Sequence, residues 1–189
     1  MNRPPPDLPM LDLMVVIDVI CPWCYVGKRR LEKALAIAGA GARIRVNWLP
    51  FELNPDMPGE GMERRLYRTR KFGSWERSQA MDAQLAELGR QDGLDFRYDL
   101  MTRTPNTFDA HRLIWLAGQG AREGRSQEAL VEALFRGYFG QGRDIGDATV
   151  LAEIASYAGI DGARAKAFLQ GEEGKAEIRG YEATAKTAG

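Results

Sequence analysis

Only two cysteines occur in the 189 residues, Cys21 and Cys24, and just two residues separate them in "VVIDVICPWCYVGKRR". A thiol pair at that spacing can be half of a metal site, a structural crosslink, or a redox centre. A structural zinc needs four ligands, usually two such pairs or one pair with histidines. The chain offers one histidine, His111, far along the sequence, so ligand count argues against zinc. A crosslink closing so short a loop removes little entropy from the unfolded chain, because that gain grows with loop length. Redox use fits both the spacing and the surroundings. Cys21 is the candidate nucleophile and Cys24 the candidate resolving thiol, in an exchange that passes through a mixed disulfide.

That chemistry needs Cys21 at the start of a helix, where free N–H groups and the helix dipole favour an anion. The sequence supplies such a boundary. Leu11 to Ile20 is short, β-branched and almost continuously apolar, which predicts a strand buried on both faces. Cys21 and Pro22 end it, and proline suits a first helical turn. From Cys24 onward the period becomes helical, with Leu31, Leu35 and Ala38 on its apolar face, until "GAG" at 39–41 stops it. Ile44, Val46 and Trp48 then alternate with Arg43, Arg45 and Asn47, the period of a second strand. Trp23 is expected to stand partly exposed between the sulfurs, with Tyr25 close behind. Lys28, Arg29 and Arg30 read as a solvated face, and His111, beside Phe108 and Trp115, as a satisfied core histidine.

Beyond "NPDMPGEG" the pattern is helical. Segments are predicted over Met62–Phe72, Ser74–Arg90, the stretch capped by Thr104 or Asn106 with Pro105 in its first turn, Gln127–Phe139, Ala148–Ala158 capped by Asp147, Asp161–Gln170 and Glu173–Lys186. The expected division is a flexible proline-rich arm over 1–10, a βαβ half carrying the cysteine pair over 11–59, and a helical domain over 60–189. Two strands make a marginal sheet, since three or more are normally needed.

Composition narrows the function classes. Hydrophobic residues at 44% and charged residues at 28% describe a globular protein. Lysine plus arginine equals aspartate plus glutamate, 26 each, so no bulk field points to nucleic acid or an anionic membrane. The apolar start is interrupted by four prolines and by Asp7, Asp12 and Asp18, unlike a secretory signal. No stretch reaches the roughly 18 apolar residues of a membrane span. A cytoplasmic protein is expected, and there a disulfide is more often catalytic than structural.

On "DVICPWCYVGKRRLEKAL", "WLPFELNPDMP", "TRTPNTFDAHRLIWLA", "EALFRGYF" and "GRDIGD", the chain resembles the DsbA family of thioredoxin-fold oxidoreductases, nearest its cytoplasmic FrnE-like branch. The resemblance implies an α/β, thioredoxin-like fold with a large all-helical insertion. It implies dithiol–disulfide exchange on protein or small-molecule disulfides and thiols, with Cys21 and Cys24 as the active pair and Pro22, Trp23 and Tyr25 around it. No tightly bound cofactor is implied; glutathione enters as a co-substrate. Relatives of the same architecture, the kappa-class glutathione transferases and 2-hydroxychromene-2-carboxylate isomerases, carry serine where Cys21 stands. "PNTFDAHR" is similar to their stretch beside the active site, which makes Asn106 and His111 candidates for substrate binding. A glutathione-dependent isomerase and a non-catalytic helical interaction module are the alternative functions. Family members continue past the helices into a cis-proline loop facing the cysteine pair, two strands and a last helix. Here the last proline is Pro105. Those C-terminal parts of the core are thus missing from the 189 residues and expected in further chain, with a truncated product or a partner's strands as alternatives. A bare strand edge leaves a homodimer open.

Overall fold

A computed structural model of the protein describes residues 9–39, 42–120 and 125–188. Most of the proline-rich arm and the end of "GAG" lie outside them. Strand β1 (Leu11–Ile17) pairs in parallel with β2 (Ile44–Pro50), in a register running from Leu11 opposite Ile44 to Ile17 opposite Pro50. Helix α1 (Pro22–Ala38) connects them, giving the expected βαβ unit. Two expectations for β1 are corrected. It stops at Ile17 rather than Ile20, because Asp18 turns the chain: its side chain accepts the Ile20 N–H (3.2 Å) and its carbonyl accepts the Cys21 N–H (3.0 Å). Nor is β1 buried on both faces. Ile17 is buried, whereas Leu11, Met14 and Val16 are exposed.

A second, two-residue ladder was not foreseen. Strand β3 (Met62–Glu63) pairs antiparallel with β4 (Arg103–Thr104). It delays the next helix, α2 (Arg64–Phe72), by two residues, and Glu63 caps that helix by accepting the Arg65 and Leu66 N–H groups. Gly73, at φ 92°, makes the left-handed turn into α3 (Trp75–Gln91), where the Ser74 hydroxyl accepts the Arg77 N–H. Helix α4 (Phe108–Gly120) starts after Pro105 rather than at it, because the Asn106 side chain accepts the Phe108 N–H (2.9 Å). Helix α5 (Arg125–Phe135) continues into a wide π turn over Arg136–Gly140. Helices α6 (Ala148–Tyr157) and α7 (Gly162–Gln170) carry their aspartate caps, Asp147 and Asp161, and α8 (Lys175–Ala188) follows.

One contiguous core joins the βαβ unit to the helices. Ile17, Val19, Val26 and Trp48 pack in the same cluster as Leu113, Ile114, Leu130, Leu134, Phe135 and Leu151. Tyr25 of α1 supplies the tightest junction. Its ring stacks on Phe135 at 4.8 Å and meets Phe96 edge-on at 5.9 Å. The second junction is polar. Arg112, fully buried on α4, donates to the carbonyls of Phe168, Leu169, Gly171 and Glu173 and to the Asp109 carboxylate. It thereby closes the turn between α7 and α8 that would otherwise expose unpaired carbonyls. Replacing Arg112 by leucine is expected to lower unfolding free energy by at least about 3 kcal/mol, since the carbonyls stay buried without donors; urea denaturation measures it.

Helix α8 meets the end of the first unit through two acids and one base. Arg179 donates to Glu52 (2.6 Å) and Glu182 (2.9 Å), and the Glu52 N–H donates to Glu182 (3.1 Å). Burial pushes the Glu52 carboxyl up to about 7, with Arg179 opposing and Glu182 reinforcing the shift. Its native form therefore holds a proton that the unfolded chain releases at the ordinary value of 4.5. Stability from this group is full below about pH 4.5 and falls as pH rises towards 7. Glu52→Gln should flatten that fall in a series of thermal melts from pH 4 to 8; an unchanged profile would contradict the assignment.

Candidate active site

The turn made by Asp18 delivers Cys21 to the N-cap of α1, with extended backbone angles (φ −87°, ψ 111°) and Pro22 in the first turn. The Cys21 carbonyl accepts the Cys24 and Tyr25 N–H groups at 3.1 and 3.3 Å. Both cysteines are free thiols, half-buried. Their environments drive them apart. A hydrogen bond from the Cys24 thiol, helped by the Cys24 and Trp23 N–H groups, lowers the Cys21 thiol from 9.0 to about 7, against burial and the Asp18 charge. Cys24 moves far upward, because Cys21 holds its proton in place and burial opposes its thiolate. One sulfur is thus poised as an anion and the other as its proton donor.

Trp23 is 60% exposed beside the pair. With Ile20, Cys21 and Pro22 it lines a cleft of about 250 Å³ whose other lining includes Tyr67, Arg68, Lys71 and Phe72 of α2, together with Tyr98 and Tyr138. This part of the site was missed at the sequence level. The signal was present, since Arg64, Tyr67, Arg68 and Lys71 recur at helical spacing. Arg64 and Arg68 both donate to Asp82, at 2.7 and 2.6 Å. Lys71 donates to neutral oxygens, Asn54 at 3.0 Å and the Tyr67 hydroxyl at 2.6 Å. Three cations against one carboxylate leave this lining positive.

The remaining sequence candidates fall elsewhere. Tyr25 is buried, its hydroxyl donating to Glu132 (3.1 Å), and burial holds that phenol up at about 12. It supports α1 from below and does not line the cleft. Asn106 is held by Met57 and Phe108, its amide donating to the Met57 carbonyl at 2.7 Å, and lines a different depression with Gly59 and Arg179. His111 is fully buried and does not line the cleft, so a substrate contact gives way to a position 3.4 Å from the Asp18 carboxylate. It is a core histidine, as expected, but not a satisfied one: neither ring nitrogen has a hydrogen-bond partner among the described residues.

The solvated face expected over residues 28–30 is also corrected. Arg30 is exposed and pairs with Asp92. Lys28 is 2% exposed, because it turns inward to Glu32, Glu128 and Glu132. Burial works against its charge, but the three carboxylates outweigh it and hold the ammonium above its usual range. Arg29 joins the cluster through Glu32 and Glu132.

Alkylation by iodoacetamide is expected to follow Cys21 alone, with a half-maximal rate near pH 7, while Cys24 stays unmodified below about pH 9. Peptide mass spectrometry across a pH series reads both. A midpoint at the ordinary thiol value would remove the basis for an activated Cys21.

Comparison with known proteins agrees with this geometry. The model of the DSBA-like thioredoxin domain family matches residues 12–189. A probable DsbA oxidoreductase from Streptomyces coelicolor is 35% identical and superimposes with a TM-score of 0.82, over 95% of this chain and 76% of that one. The cytosolic disulfide reductase DsbM of Pseudomonas aeruginosa, solved with glutathione, is 21% identical with a TM-score of 0.60, over 94% and 81% of the two chains. A 2-hydroxychromene-2-carboxylate isomerase is 12% identical with a TM-score of 0.66, over 93% and 79%. The last two share the fold alone. With the cysteine pair at a strand-to-helix turn and a family match along nearly its whole length, the chain belongs to the DSBA-like thioredoxin domain family.

Proposed function

We propose that the protein is a thiol–disulfide oxidoreductase acting through Cys21 and Cys24. The observation that carries this reading is the geometry of the pair: Cys21 at the N-cap of α1 lining the cleft, and Cys24 a free thiol one turn in, an arrangement that lowers the first thiol towards neutrality and raises the second. In the reductive direction the Cys21 thiolate attacks one sulfur of a substrate disulfide. The substrate S–S bond breaks, a mixed disulfide forms on Cys21, and the departing thiolate takes a proton from water. Cys24 then gives up its proton and attacks the Cys21 sulfur. The Cys21–substrate bond breaks and the second substrate thiol leaves. The substrate has gained two electrons and the Cys21–Cys24 pair has lost them. The same steps in reverse oxidise a dithiol, and attack on the mixed disulfide by another substrate thiol isomerises.

Protein disulfides and glutathione are the partners we assign, in a reducing compartment such as the cytoplasm. Lys71 and Arg68 beside Cys21 suit the carboxylates of a glutathionyl group. No helix of the described residues is long and apolar enough to cross a membrane. A glutathione-dependent isomerase is the second reading. It draws on the aromatic lining of the same cleft, where Tyr67, Phe72 and Tyr98 would suit a flat ring.

Insulin reduction and turnover of glutathione disulfide test the first reading. Cys21→Ser should abolish both, and equal rates in the parent and the variant would refute it. Isomerisation that survives Cys24→Ser would favour the second. Lys71→Glu should slow the reaction with glutathione disulfide at least about three-fold more than that with uncharged hydroxyethyl disulfide.

A further inference from the structure

His111 is the chain's single histidine and is 0% exposed. A buried imidazole normally satisfies one nitrogen or both, yet neither ring nitrogen here has a hydrogen-bond partner among the described residues. The polar group it faces is Asp18, whose Oδ1 lies 3.4 Å from Nε2. Asp18 is itself 2% exposed, its oxygens accepting the Ile20 and Leu53 N–H groups. This carboxylate also sits under the cysteine pair. The Cys21 N–H donates to its carbonyl, and its negative charge opposes a thiolate on either sulfur.

We infer that His111 is a positioning residue for the Cys21–Cys24 couple, offsetting the Asp18 charge beneath the sulfurs and so favouring the dithiol over the disulfide. The inference rests on the proposed dithiol chemistry. A disulfide carries no charge, so Asp18 acts on the pair only while a thiolate is present. A proton or an N–H dipole of His111 aimed at Oδ1 weakens that repulsion in the reduced form and has nothing to weaken in the oxidised form. An interaction made in one of two states shifts their balance, and the coupling is reciprocal: the oxidation state must move the histidine as much as the histidine moves it. The Tyr138 hydroxyl, buried in the π turn, feels the Asp18 charge. Glu52 and Glu182, after β2 and on α8, are held by Arg179.

Because there is one histidine, a sample labelled with nitrogen-15 in histidine gives one ring. Its shifts are followed against pH in the dithiol form, made with dithiothreitol, and in the disulfide form, made with diamide. The ring nitrogen shifts should differ between the two forms, the dithiol form showing the stronger proton or hydrogen-bond signature towards Asp18. Coincident curves in the two forms overturn the inference. A second measurement uses redox equilibrium against glutathione. His111→Gln should move the constant at least about three-fold towards the disulfide and raise the Cys21 titration midpoint, and neither should move in an Asp18→Asn background. An equal shift in both backgrounds would mean a packing effect and overturn the inference. Failure of the proposed function is seen separately, as absent turnover by the parent protein, since the ring comparison needs no substrate.

Discussion

Asp18 is where strand gives way to helix, and its hydrogen bonds determine what Cys21 can be. Its carbonyl takes the Cys21 N–H, one side-chain oxygen takes Ile20, and the other takes Leu53 across the gap to the chain leaving β2. Without that turn β1 would run on through Ile20, and Cys21 would not meet the open N-terminus of α1. The same carboxylate works against the thiolate it helps to place. The site is thus a compromise in which local N–H groups and the neighbouring thiol outweigh a nearby like charge. The Cys24 thiol, helped by the local N–H groups, wins here because these donors touch the sulfur while the carboxylate acts only through its field.

The parts of this site that were legible in the sequence are those set by local rules. Proline in a first turn, a cysteine just before it and the aspartate cap at Asp147 each depend on neighbours within a few residues, whereas Ser74 and Asp161, read as the first residues of their helices, prove to be the caps. What stayed hidden depends on distant partners. Lys28 reads as a surface cation until Glu128 and Glu132, about a hundred residues away, arrive to bury it. The β3–β4 ladder joins residues some forty positions apart and is too short to leave a pattern. The α2 lining lies between these cases, since its spacing was visible but the wall it faces was not. His111 could be placed in the core by its apolar neighbours, but its lack of partners is a property of packing alone.

Charge balance over the whole chain conceals a local division. Positive side chains gather on α2 along the cleft that Cys21 lines, where Arg64 and Arg68 share the Asp82 carboxylate and Lys71 contacts the neutral oxygens of Asn54 and Tyr67. Negative ones gather between α1 and α5, where Glu32, Glu128 and Glu132 surround Lys28. A net charge of zero excludes long-range steering of the whole molecule, but it leaves short-range selection at the cleft untouched.

The buried Lys28 also governs what α1 is free to do. Tilting that helix away from α5 would strip the Lys28 ammonium of Glu128 and Glu132 and leave it only Glu32 of its own helix. The Tyr25–Phe135 stack resists the same movement. Helix α1 is therefore welded to the chassis and cannot serve as a lever. On the opposite bank of the cleft Arg64 and Arg68 stay tied to the buried Asp82, while the Lys71 contacts are to neutral oxygens at the surface, so the Lys71 end of α2 is the part that yields cheaply. Helix α1 is the anvil of this cleft, and the Lys71 end of α2 is the jaw.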